Sequence, residues 1–166
     1  MSETFSQWQT SDALVLFATL HREGATVKGI ISFSDYVNCG YVSFEEMHHA
    51  LSMLISGGYV QFQNGHFRIE ENWGRQIRAK LGMRRGPRSE FVEVILPEVF
   101  ALAIDESRVK PVDHSIFNPE MYAQALREYN ERSKWLREQI GRMQAKGETC
   151  LIHFLAKEGL LDADEE

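Results

Sequence analysis

Apolar positions along the first half of the chain repeat first at helical spacing and then at strand spacing, and the change of period separates the elements. Leu14, Val15, Phe17, Ala18 and Leu20 supply a broad apolar face. A helix is expected from a cap at Ser11 or Asp12 to about Arg22, with Gly24 stopping it. Ile30, Ile31, Phe33 and Val37 predict a second helix from Ile30 to about Asn38, after which Gly40 turns the chain. Ser43 followed by Glu46 has the spacing of a capping box, and Phe44, Met47, Leu51, Leu54 and Ile55 then fall on one helical face that ends at Gly57-Gly58. Tyr59–Gln63 and His66–Glu70 are rich in β-branched and aromatic residues, and Asn64-Gly65 joins them. That dipeptide supplies the two positive-φ positions of a type I′ turn, so an antiparallel hairpin is expected.

Downstream, Trp73, Ile77 and Leu81 form the inward stripe of a helix beginning near Asn72. Residues 90–104 are the most apolar stretch, divided by Pro97. Phe91–Leu96 reads either as a strand preceding a helix through Ile104, or as part of one helix kinked at Pro97. Asn118 caps a long helix with Pro119 at its first position. Tyr122, Leu126, Tyr129, Ser133, Leu136, Ile140 and Met143 follow at alternating spacings of four and three, a short heptad seam. The seam serves either a dimer interface or packing within the chain. A final helix from about Glu148 to Leu160 has Leu151, Ile152, Phe154, Leu155 and Leu160 to bury.

Three helices followed by a hairpin is the order of a winged helix-turn-helix domain, with the third helix in the recognition position. The stretch ALSMLISGGYVQFQNGHFRIEENWG resembles the third helix, wing and following helix start of bacterial winged-helix proteins, with Glu71-Asn72-Trp73-Gly74 where they carry Thr-x-x-Gly. GIISFSDYVNCGYVSFEEMHHALSMLISGGYV is similar to a group of small bacterial proteins with an Asp-Tyr-x-Asn stretch before a Thr/Ser-x-x-Glu-Leu helix. Asp35, Tyr36, Asn38, Ser43 and Glu46 match that pattern; Met47 departs from Leu. The resemblance covers roughly residues 11–80 and implies fold rather than activity. The expected class is therefore mainly α with a small β-hairpin (α+β): a winged-helix domain over 1–88, a connector over 89–118, and a helical extension over 119–166.

Charge then narrows the function. The 166 residues carry 18 Lys+Arg against 24 Asp+Glu, a net charge of −6, which excludes a uniformly basic nucleic-acid coat. On the third helix the surface candidates are Ser43, Glu45, Glu46, His48, His49 and Ser52. None is of the types that make the common bidentate contacts to guanine or adenine, and two are carboxylates that phosphates repel. Bases concentrate instead in 72–88, as Arg75, Arg78, Lys80, Arg84, Arg85 and Arg88, with no acid among them. This segment suits phosphates or an acidic partner, or ion pairs with the flanking acidic stretches.

The P-loop, nucleophile-elbow, zincin and dinucleotide motifs are all missing from the sequence. Neither a catalytic residue, a cofactor nor a metal is expected. His48-His49 diverge by about 100° on a helix and do not readily share an ion. Cys39 and Cys150 are expected as small buried hydrophobes, and their number suits a reducing compartment. Asp35 and Tyr36 are expected either to cap or brace the second helix, or to belong to a buried polar network there. With neither an apolar run long enough for a membrane span nor a leader-like start, the expectation is a cytoplasmic, bacterial, non-enzymatic regulatory or protein-interaction module. It is expected to form a homodimer through Tyr122, Leu126, Tyr129, Leu136, Ile140 and Met143. DNA binding through Arg75, Arg78, Arg84, Arg85 and Arg88 is the alternative.

Overall fold

The computed structural model describes residues 7–81 and 86–160. The chain is mainly helical with one two-stranded antiparallel hairpin, and it divides into a unit over Met1–Leu126 and a unit over Arg127–Glu166.

In the first unit α1 (Thr10–Thr19) is the central element, and every residue from 11 to 20 is buried. A helix buried on every side belongs inside a core rather than on its edge. It packs on α2 (Val27–Asn38) and α3 (Phe44–Ser56). Neither Ser11 nor Asp12 is the N-cap residue; Gln9 is, in a capping box that Asp12 completes. Asp12 sits in the first turn and reaches back to accept the Gln9 N–H at 2.6 Å, which moves the start to Thr10. The helix ends at Thr19 rather than Arg22, and Gly24, at φ +82°, belongs to the turn that follows. Thr26 caps α2 by accepting the Gly29 N–H at 3.1 Å, so α2 begins three residues before Ile30. The left-handed residue that closes α2 is Cys39 (φ 55°), where Gly40 was expected to turn the chain. The Ser43–Glu46 capping box of α3 is present in both directions: Ser43 Oγ accepts the Glu46 N–H at 3.2 Å, and Glu46 Oε2 accepts the Ser43 N–H at 2.8 Å. Met47, Leu51 and Leu54 below it are fully buried.

The hairpin forms as its turn chemistry dictates. β1 (Val60–Gln63) pairs with β2 (His66–Ile69) through Asn64 (φ 50°) and Gly65 (φ 78°). Ala25 adds a bridge on the far side of β2, exchanging two backbone hydrogen bonds with Phe67 at 2.8 and 2.9 Å. Gly24 permits that approach, because a Cβ there would stand 2.5 Å from the Phe67 carbonyl oxygen. Glu70 begins α4 (Glu71–Leu81), its carboxylate accepting the Asn72 and Trp73 N–H groups at 3.0 and 2.8 Å. It supplies the capping acceptor for a helix whose first turn contains no Thr. Ile77 is fully buried, while Trp73 and Leu81 are half-buried.

Residues 87–100 are helical throughout, so the strand reading of Phe91–Leu96 gives way to the kinked helix. α5 (Pro87–Glu90) runs through a π turn (Phe91–Ile95) into α6 (Leu96–Phe100), which stops before Ile104. Pro97 has no N–H to donate, and the Leu96 N–H bonds five residues back to Phe91 O. Phe91, Val94, Ile95 and Val99 are buried. An irregular segment then leads to Asn118, whose side chain accepts the Met121 N–H at 2.9 Å and starts α7 (Pro119–Ala145).

The second unit contains the rest of α7 and α8 (Leu151–Lys157). Its small core is Met143, Phe154 and Leu155, with Trp135, Ile140, Leu151 and Leu160 against it. Arg142 and Lys146 pair with Glu158 at 3.1 and 2.7 Å, and Lys157 with Glu148 at 3.0 Å. Ile152, expected inside, is 70% exposed. No helix among the described residues is long and apolar enough to cross a membrane.

Candidate functional site: the third helix and the segment that covers it

The surface of α3 is committed to contacts within the chain to a degree the sequence did not reveal. Residues 44, 48, 52 and 56 lie one turn apart and form a single stripe. The segment from Lys110 to Tyr122 covers it. Ser52 was expected on the surface but is fully buried. Its hydroxyl donates to His48 O at 2.7 Å and accepts the Val112 N–H at 2.9 Å. Ser56 Oγ accepts the Lys110 N–H at 3.0 Å and donates to its carbonyl at 3.3 Å. The Phe44 ring stacks on Phe117 at 5.2 Å and meets Tyr122 edge-on at 5.9 Å. The Tyr122 hydroxyl donates to Val42 O at 2.8 Å. Burial raises its pKa, and Tyr41, Glu45 and Glu46 nearby push the same way, so it stays a neutral donor.

The other α3 candidates divide accordingly. Ser43 and Glu46 cap each other. His48 is half-buried against the Phe44 ring, 5.8 Å away. His49 lies 3.0 Å from the carboxylate of Asp12, which is wholly buried. Glu45 is exposed. The exposed residues of α3 are Glu45, Glu46 and Ser56, so the charge it offers outward is acidic, with Glu46 engaged in a cap.

The arginines are spread over several elements. On α4, Arg75 donates to Asn72 Oδ1 at 2.5 Å, and Arg78 donates to Leu20 O at 3.0 Å, tying α4 to the end of α1. Arg88 is exposed on α5, and Lys80 pairs with Glu98. Arg84 and Arg85 lie outside the described residues. Along the heptad seam, Tyr122 is engaged with Val42 and Met143 with the α8 core, while Leu126, Tyr129, Leu136 and Ile140 are half-buried.

Neither cysteine is buried. Cys39 closes α2 and Cys150 precedes α8, both exposed. Tyr36 is 70% exposed, so of the two readings of Asp35 and Tyr36 the buried network is overturned. Among the described residues no group of three or more His, Cys, Asp or Glu is arranged to hold a metal ion. Of the buried polar residues that organise this region, Ser34 is not singled out by the sequence, whereas Asp12 is expected as a cap and Ser52 on the surface. Their one sequence signal is a polar residue inside an otherwise apolar helical face. Compared with protein-family models, curated proteins and solved structures, the chain matches none.

Proposed function

We propose that the chain is a winged-helix module that acts by binding another protein, without enzymatic activity and without reading DNA through its third helix. The element order, three helices and then a hairpin with a type I′ turn, supports the winged-helix assignment. The observation that carries the functional reading is the burial of Ser52 beneath Val112. A helix that enters the major groove needs a free outer face with donors for base edges. Here that stripe is held by the chain's own segment, and the remaining rim is acidic. A basic surface on a partner is the complement of that rim.

Fluorescence anisotropy with random-sequence duplex DNA tests this. No binding is expected at either about 50 mM or about 200 mM salt. If Arg75, Arg78, Arg84, Arg85 and Arg88 each gripped a phosphate, affinity would fall roughly 500-fold between those two salts. Binding with that salt dependence, abolished by Arg84, Arg85 and Arg88→Ala together, would make the chain a DNA-binding regulator instead.

A further inference from the structure

Three arginines that are far apart in the chain line one cleft. Arg22 follows α1, Arg68 stands on β2 and Arg78 on α4. With Gln61, Gln63 and Glu71 they line a cavity of about 540 Å³. That volume lies within the range of small-molecule sites. Two of the arginines are seated by glycines. A Cβ on Gly24 would come within 2.6 Å of Arg68 Cγ, and a Cβ on Gly74 within 3.1 Å of Arg78 Nη2. The Arg78 guanidinium is also oriented by its bond to Leu20 O, made through Nη1 alone. Among the described residues neither Arg22 nor Arg68 has a salt-bridge partner. Glu70 also reaches the wall, but its carboxylate is occupied by the Asn72 and Trp73 N–H groups.

We propose that this cleft binds the phosphate group of a small, polar phosphate ester. Arginine presents a planar fork of donors that matches phosphate oxygens, and a doubly charged phosphate answers three guanidiniums better than a single carboxylate does. The amides of Gln61 and Gln63 add uncharged polar partners for the rest of the ligand. A cleft of about 540 Å³ encloses one phosphate group and a small polar remainder, which favours a metabolite over an extended nucleic-acid backbone. The cleft shares no residue with the α3 surface, so the proposal stands or falls independently of the protein-binding reading.

The test is a ¹H–¹⁵N NMR titration of the full chain with inorganic phosphate replacing chloride at constant ionic strength. Saturable shifts are expected at the Gln61 and Gln63 side-chain amides and at Arg68 Nε, with a dissociation constant on the order of 1 mM. Arg68→Gln should weaken binding about tenfold or more, the scale of one lost charge-assisted hydrogen bond. Arg22→Gln, at an exposed position, should do the same and guards against a folding defect in the first variant. Arg108→Gln, an exposed arginine outside the cleft, should bind as the parent does. Shifts that rise linearly to about 50 mM, or normal binding by both cleft variants, would overturn the proposal. Displacement of phosphate by duplex DNA, lost in the same two variants, would overturn the small-ligand assignment and give these arginines to a nucleic-acid backbone.

Discussion

Ser52→Ala removes one oxygen atom, and its effect measures how firmly the covering segment is held to α3. The hydroxyl is fully buried and makes two hydrogen bonds, but they are not equivalent. His48 O lies within the helix, where the backbone supplies a donor of its own. The Val112 N–H, itself buried, would keep no partner at all. A buried polar group left unsatisfied costs about 1–3 kcal/mol, so the expected loss is about 2 kcal/mol. For a chain of this size that lowers Tm by roughly 4–8 °C. Urea denaturation of parent and variant gives the free energy, and hydrogen exchange at the Val112 amide shows where it is lost. A loss below about 0.5 kcal/mol, or unchanged protection of Val112, would refute the idea that this bond anchors the segment. Ser34→Ala provides an internal comparison. Ser34 is equally buried, donates to Ile31 O at 2.9 Å and accepts the Val42 N–H at 3.2 Å, so it pins the α2–α3 turn in the same way.

Gly74→Ala should destabilise the protein by about 1–3 kcal/mol in urea titrations, although propensity alone predicts a gain of about 1 kcal/mol in a helix. The new Cβ would stand 2.6 Å from Ile69 Cγ2, a buried branched side chain with little room to yield. The Glu70 carboxyl is held below the ordinary glutamate value of 4.5, first by the Trp73 N–H and then by the Asn72 N–H. A lowered folded pKa gives stability that is complete above the unfolded value and is lost as pH falls through the folded one. The difference in urea midpoint between parent and Glu70→Gln should therefore hold constant near neutrality and shrink below about pH 4.5. Phe154→Ala should cost the second unit about 3–5 kcal/mol, since that ring is the fully buried centre of a small core. The Trp135 indole resonance should move to its unfolded position, with the amide of Val112 in the first unit unaffected.

What the sequence disclosed and what it hid divide by range. Asn64-Gly65, the Ser43–Glu46 box and the Asn118 cap are signals complete within a few residues, and each produced the expected feature. Ser52 was assigned to the surface because its partner, Val112, lies 60 positions away and nothing near Ser52 announces it. Asp12 has a local role that the sequence suggests, closing the box at Gln9, and a hidden one, meeting His49 37 positions away. Pro97 left two readings open because an apolar run interrupted by proline has no decisive period, and only the packing of Phe91 and Ile95 selects the helix. The arginines make the point most clearly. Density along the chain drew attention to 75–88, whereas the cleft gathers Arg22, Arg68 and Arg78 from three separate elements.

The bridge between Ala25 and Phe67 also settles how this small sheet can grow. With one flank of β2 held by β1 and the other by Ala25, an incoming extended strand has only the outer flank of β1 to join. That flank is four residues long, and its outward side chains, Gln61 and Gln63, are polar. A short polar border is a poor template for open-ended association between copies. Strand addition from outside is therefore one-sided, and it would have to occur beside the glutamines that border the arginine cleft.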